Sequence, residues 1–259
     1  MSKASKELFN LLNRPSLDRH EIIPHINRFL TVHPYAGIYE VDDREHVSSS
    51  KDRRHMKWHP SGDCLKCERL LYYERDITSP PIAQYFEPRM QSIFKEGAAI
   101  HAMIQSWFKT MGELDGFPEF VGNEVRIDSD NFNISGYIDS VVSFGGGKSA
   151  EEATIIEIKT INDYQFQQLR GPKPEHKMQV GAYMMATGIP EAIVLYYNKN
   201  DSSMKEYLVE PIDMQNVLIR WQNVENALDA GSPDSLARSC KCGSKQWERC
   251  PAKDICYRS

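Results

Sequence analysis

Residues 134–160, reading ISGYIDSVVSFGGGKSAEEATIIEIKT, constrain the fold more tightly than any other stretch of this chain. Two apolar runs, 134–144 and 154–160, flank a glycine-rich charged turn and read as neighbouring strands joined by a loop. Charge interrupts each where a buried strand should be apolar: Asp139 in the first, Glu157 and Lys159 in the second. Side chains alternate across a strand, so Glu157 and Lys159 share one face while Ile156 and Ile158 point to the other. Burying a carboxylate or an ammonium is costly unless it is paired or bound to a metal. Two readings follow from the strands alone. One is a divalent-cation site with a cationic helper; the other is a buried ion pair that only holds the strands in register.

The elements around these strands extend the pattern. Residues 84–111 read as the longest helix, with Gly97, His101, Ile104 and Phe108 at i, i+4, i+7 and i+11. On that face His101 is either a core imidazole bonded to a carbonyl or a ligand, and Gly97 lets the helix approach a sheet closely. Residues 121–127 form a short strand containing Glu124. The GGGKS turn at 145–149 resembles the end of a phosphate-binding loop, but the full pattern needs glycine where Val142 stands and a helix afterwards. A nucleotide-binding loop is excluded. Residues 162–174, rich in glutamine and carrying Arg170 and Lys173, are expected to form a substrate-contacting or gating loop. A helix over 175–187, ended by Gly188 and Pro190, projects Gln179 and Tyr183 together as i and i+4. Strands at 192–197 and 206–209 and an amphipathic helix at 214–228 follow. The order helix, three strands, helix, two strands, helix predicts an α/β fold, a central mixed sheet flanked by helices.

A chain of 259 residues suffices for one large domain, or a domain with an appendage. Its 41% hydrophobic and 26% charged content is ordinary for a globular protein, and no apolar run approaches the ~18 residues needed to span a bilayer. No membrane partner is expected. The segment MSKASKELFNLLNR is amphipathic but lacks the apolar core and small-residue cleavage site of a secretory signal, so a cytoplasmic location is expected. The net charge of -5 is not that of a passive DNA-coating protein. Locally, however, Arg238, Lys241, Lys245, Arg249, Lys253 and Arg258 face only Glu248 and Asp254, a basic patch that permits nucleic-acid binding. Residues 1–60 carry the least pattern: a short helix over 5–12, and histidines without zinc-type spacing. Within them the basic run KDRRHMKWH at 51–59 is either a phosphate-contacting segment or a solvated loop.

All six cysteines lie at two ends of the sequence: Cys64 and Cys67 as C-x-x-C, then Cys240, Cys242, Cys250 and Cys256. Cytoplasmic thiols stay reduced, so this clustering points to a metal centre that staples the C-terminal part to the region near residue 67. Thiolate sets suit zinc and iron–sulfur alike. The expected organisation is one compact domain: an N-terminal region 1–83 with the Cys64/Cys67 element, a core at 84–230, and a Cys-rich lobe at 231–259 packing with residues 61–76.

Taken together, Gly97-x-x-x-His101, Gly136-Tyr137-Ile138-Asp139, Glu157-Ile158-Lys159 and Gln179-x-x-x-Tyr183 resemble the RecB-like branch of the PD-(D/E)XK nuclease superfamily. The proline usual before the motif aspartate is replaced by Ile138. Cys67-Glu-Arg-Leu-Leu-Tyr-Tyr and Cys250-x5-Cys256 resemble elements of its iron–sulfur members, which include the CRISPR-adaptation exonucleases and AddB-type nuclease domains. The resemblance implies a restriction-endonuclease-like core in which His101, Asp139, Glu157 and the Ile158 carbonyl bind Mg²⁺ or Mn²⁺. By the same resemblance Lys159 positions or deprotonates the attacking water, and Gln179 and Tyr183 hold the scissile strand or the lysine. It also implies a 4Fe-4S cluster on Cys67, Cys242, Cys250 and Cys256, with Cys240 or Cys64 as substitutes because Cys242 departs from the family spacing. Zinc on Cys64, Cys67, Cys240 and Cys242 is the alternative.

The function so implied is a metal-dependent DNA exonuclease acting on single-stranded ends in repair, recombination or phage-type DNA processing. DNA is the expected partner, and a helicase or recombination protein would be a separate chain, since no helicase motif is visible. Two other classes compete: a non-catalytic nucleic-acid-binding module on a nuclease fold, and a structural zinc protein.

Overall fold

The computed structural model describes residues 21–33, 57–79, 88–145, 150, 152–241 and 243–257. Cys242, the 51–56 part of the basic run, most of the GGGKS turn and the helix expected over 5–12 lie outside the described residues. The elements in order are α1 (Ile23–Val32), α2 (Pro60–Asp63), α3 (Glu68–Arg75), α4 (Pro88–Leu114), β1 (Glu119–Ser129), β2 (Ile134–Ser143) and β3 (Ala153–Ile161). They continue with α5 (Asp163–Gln168), α6 (Pro174–Thr187), β4 (Glu191–Asn198), β5 (Met204–Val209), α7 (Gln215–Asp229), α8 (Lys245–Glu248) and α9 (Lys253–Cys256). The core has the layout read from the sequence. Several helices were not expected, among them α1, the short α2, α8 and α9, and α5 inside what reads as a polar loop.

The strands form one mixed sheet in the order β1-β2-β3-β4-β5. Every neighbouring pair is antiparallel except β3·β4, whose parallel pairing requires the crossover that α5 and α6 supply. Alternation divides the core in two. Ile155, Ile161, Val194 and Tyr196 join the cluster beneath α6 and α7, while Ile156, Ile158, Ile193 and Leu195 meet Ile26, Phe29, Ile104 and Phe108 of α1 and α4. Among the described residues no helix is long and apolar enough to cross a membrane.

One irregularity of the sheet matters most. β2 and β3 pair only from Ser140 to Ser143 against Ala153 to Ile156, so the ladder ends where Asp139 and Glu157 begin. The side chain of Asp139 takes over there, accepting the Ile158 N–H at 2.7 Å. The strands thus fork at the two acids.

The region around the first two cysteines is fastened to the core and to the tail. Trp58 stacks on Trp221 with centroids 5.1 Å apart, Arg75 lies 3.7 Å over the Trp58 ring, and Arg220 donates to the Cys64 carbonyl at 2.8 Å. Arg69 donates to the Leu236 carbonyl at 3.0 Å, and Arg238 to the Cys256 carbonyl at 3.2 Å. Residues 61–76 and the Cys-rich tail are therefore in direct contact.

Candidate active site

Three elements converge on the fork between β2 and β3. From α4, His101 brings Nδ1 to 3.5 Å from Asp139 Oδ1. The approach of that helix depends on Gly97, where a Cβ would stand 3.3 Å from Thr160 Oγ1 on β3. From β3, Glu157 is buried at 2% exposure, and Lys159 Nζ lies 2.7 Å from its Oε1. From α6, Gln179 donates to the same Oε1 at 2.7 Å and to the Tyr183 hydroxyl at 3.1 Å. Tyr183 in turn fills the space over Gly136, where a Cβ would meet its ring at 3.2 Å.

Both donors to Glu157 act on one oxygen. Its other oxygen, Oε2, is buried with no hydrogen-bond partner among the described residues. An unsatisfied buried carboxylate oxygen is costly, and either a proton or a cation relieves it. Burial, and then the charge of Asp139, push the Glu157 carboxyl up to about 7. Burial works on Asp139 in the same direction, but the His101 and Lys159 charges and the Ile158 bond outweigh it and hold that carboxyl below its ordinary range. The two acids raise His101 and Lys159 above their ordinary values against the opposing effect of burial. Two carboxylates, an imidazole and an ammonium thus occupy one electrostatic unit. Each acid is engaged with its nearest donor, and among the described residues no three His, Cys, Asp or Glu side chains are already gathered as a closed ligand set.

One supporting residue was absent from the sequence reading. Gln105 follows His101 by four residues and so shares its face of α4, which is the signal the sequence contains. Its amide donates to the Asp139 carbonyl at 2.9 Å and to Glu124 Oε1 at 2.7 Å. Glu124 sits in the left-handed backbone region at φ 48, a conformation that costs a non-glycine residue about 1–2 kcal/mol. Gln105 thereby ties a strained residue of β1 to the backbone of Asp139.

The cysteines separate into two kinds. Cys64 is turned into the core, its thiol 3.7 Å from the Met178 carbonyl, and burial pushes it up to about 12. A thiol so placed is a poor thiolate donor. Cys67 is opposite in character: burial raises it, but bonds with Ser239, Leu70 and Arg69 outweigh that and hold it below the ordinary thiol value. Cys250 is raised by burial and then by the charges of Cys240, Cys67 and Cys256, while Cys64 is turned to the Met178 carbonyl; among the described residues no three cysteines are gathered as a closed ligand set.

No family model matches this chain, and no curated protein does. Among solved structures, the crystal structure of SSO0001 is similar over 90% of this chain and 94% of its own, at 16% identity and a TM-score of 0.44. An alkaline exonuclease, LHK-Exo from Laribacter hongkongensis, is similar over 68% of this chain and 92% of its own, at 18% identity and a TM-score of 0.47. Its complex with dAMP gives 67%, 90%, 18% and 0.47. None of these likenesses carries weight in assigning the site, which rests on the side chains described above.

Proposed function

We propose that this chain is a metal-dependent deoxyribonuclease of the PD-(D/E)XK type, an exonuclease acting on single-stranded ends in DNA repair, recombination or phage-type DNA processing. The observation that carries the proposal is the bare Oε2 of Glu157, buried at a strand fork beside Asp139, His101 and Lys159. Carboxylate oxygens with a backbone carbonyl suit Mg²⁺, and an imidazole among them favours Mn²⁺. Asp139, Glu157, His101 and the Ile158 carbonyl would hold the ion. When bound, it supplies positive charge to a phosphodiester and acidifies a water for attack.

The chain's own residues do the rest. Lys159, held charged by its acidic neighbours, presents an ammonium to the developing charge on phosphorus from the same strand face as Glu157. Gln179 fixes the Glu157 carboxylate, and Tyr183 fixes Gln179. Gln105 holds the Asp139 backbone. The tail adds basic residues on a lobe that Cys67, Cys250, Cys256 and Cys240 or Cys242 would organise around a 4Fe-4S cluster, with zinc as the alternative. The low-lying Cys67 thiol supports a thiolate centre of either kind.

The test is digestion of end-labelled single- and double-stranded DNA by protein purified without oxygen, with added Mg²⁺ or Mn²⁺. Cation-dependent shortening from the ends is expected. Intact DNA under every condition would sink the proposal.

A further inference from the structure

The chain segment leading away from Lys159 contains more than phosphodiester hydrolysis requires. Helix α5 and the turn into α6 enclose an open groove of ≈ 380 Å³ lined by Tyr164, Gln165, Gln168, Arg170, Lys173 and Pro174. Tyr164 stands 75% exposed and adds nothing to the core. Arg170 Nη1 donates to the carbonyls of Gln167 and Leu169 at 3.0 and 3.2 Å, which braces the guanidinium against its own turn. Lys173 Nζ donates to Gln165 Oε1 at 3.2 Å. Among the described residues neither cation is drawn into an ion pair, so their charge remains for a ligand.

The groove is anchored to the catalytic fork. Lys159 and Tyr196 are partners in the parallel β3·β4 ladder, so their side chains project from the same face. The Tyr196 hydroxyl accepts the Lys173 N–H at 2.8 Å and shares a hydrogen bond with His176 Nδ1 at 2.8 Å. One tyrosine therefore separates Lys173 from Lys159. Burial, then the charges of Lys159 and Lys173, lower His176 to about 3, so this junction holds a neutral imidazole.

We propose that this groove receives a single strand of nucleic acid beside the cleavage point, Tyr164 stacking on an unpaired base while Arg170 and Lys173 hold the adjacent phosphates. A flat ring flanked by cations is the general means of holding single strands without reading sequence, because every base offers a π face. A base inside a duplex has both faces covered by its neighbours, so the groove selects for unpaired ends. The placement beside the cleavage point rests on the nuclease reading; the binding itself does not.

Fluorescence anisotropy with the full chain and labelled oligo(dT), in buffer without divalent cations, tests the binding. Loss of one stacked base corresponds to about tenfold in affinity. Tyr164→Ala is expected to raise Kd about tenfold, Tyr164→Trp to restore it, and an oligonucleotide of abasic sites to erase the difference between wild type and Tyr164→Ala. Arg170→Ala with Lys173→Ala is expected to flatten the salt dependence of binding. Equal affinity of wild type and Tyr164→Ala for oligo(dT) overturns the groove, as does equally tight binding of a duplex of the same length. If the expected binding pattern appears while wild type cuts no DNA, the groove stands and the nuclease reading fails. If wild type cuts DNA but Tyr164→Ala binds as well as wild type, the nuclease reading stands and the groove fails.

Discussion

Asp139 has two separable duties, and two substitutions divide them. Its Oδ2 replaces the missing ladder bond by accepting the Ile158 N–H at 2.7 Å, and its charge faces His101 at 3.5 Å. Asp139→Asn keeps an acceptor for Ile158 and removes the charge. Asp139→Ala removes both and leaves a buried N–H bare, at a cost of about 1–3 kcal/mol. For a chain of this size, about 2–4 °C of melting temperature corresponds to each kcal/mol. Thermal unfolding without divalent cations should therefore place the alanine variant about 2–12 °C below wild type. The asparagine variant, which keeps the Ile158 acceptor but loses the charge towards that bond and towards His101, should melt above the alanine variant. Cleavage separates them differently. One charge about 4 Å from a cation at an effective dielectric constant of ~20 contributes about 4 kcal/mol, so both variants should cut end-labelled DNA about 10³-fold more slowly, or worse. An asparagine variant that cuts within tenfold of wild type would refute the cation-binding duty. An alanine variant as stable as the asparagine one would refute the duty as keeper of the fork.

Three further outcomes follow from the same geometry. Lys159→Ala should abolish cleavage and lower stability by about 1–3 kcal/mol, because it strips the buried Glu157 carboxyl of its donor and leaves it to take up a proton; calorimetry with and without Mn²⁺ should show the cation recovering part of that loss. Gln105→Leu should slow cleavage about 10–100-fold through Glu124 and the Asp139 backbone, and an unchanged rate at saturating DNA would remove Gln105 from the positioning set. Cys67→Ala and Cys256→Ala should bleach a brown visible absorption and reduce bound iron, whereas Cys64→Ala should leave both in place; a colourless wild type with stoichiometric zinc would favour the other metal.

Much of the fold was legible because strands and long helices record their environment in periodicity. The alternation at Ile155–Lys159 correctly assigns which side chains share a face, and the structure places β3 at Ala153–Ile161 around it. Helix α1 does carry a helical period, with Ile22, Ile26, Phe29 and the partly buried Leu30 at i, i+4, i+7 and i+8, but Pro24 stands in its first turn and its start is capped from far along the chain, Glu206 accepting the N–H groups of Ile22 and Ile23. A cap supplied by tertiary structure leaves no local signal. Helix α5 has one buried side chain, Phe166, too few for a period to show. His101, Asp139, Glu157, Lys159 and Gln179, which the structure brings together, stand out singly as polar groups among apolar neighbours, but it was the resemblance that grouped them. Their support was not legible, since the end of the β2·β3 ladder at Ser140 and Ile156 is a property of two strands rather than of either one.

The cysteines show the same limit and join the two halves of the proposal. Spacing alone cannot tell Cys64 from Cys67, because the difference lies in the direction each thiol takes. The Cys64 thiol meets the Met178 carbonyl on α6, the residue immediately before Gln179, while Cys67 turns towards Ser239 and the tail. Three residues of chain therefore connect the thiol lobe to the helix that holds Glu157. A lobe that loses its order frees α3 from Leu236, where Arg69 is fastened, and removes packing from the side of α6 that orients Gln179. A centre that takes no part in hydrolysis should consequently still affect its rate. Cys256→Ala, at DNA concentrations saturating enough to cancel weakened binding by the basic tail, should lower kcat as well as raise KM. A change confined to KM would mean that the lobe only grips nucleic acid and that the strand fork is held without it.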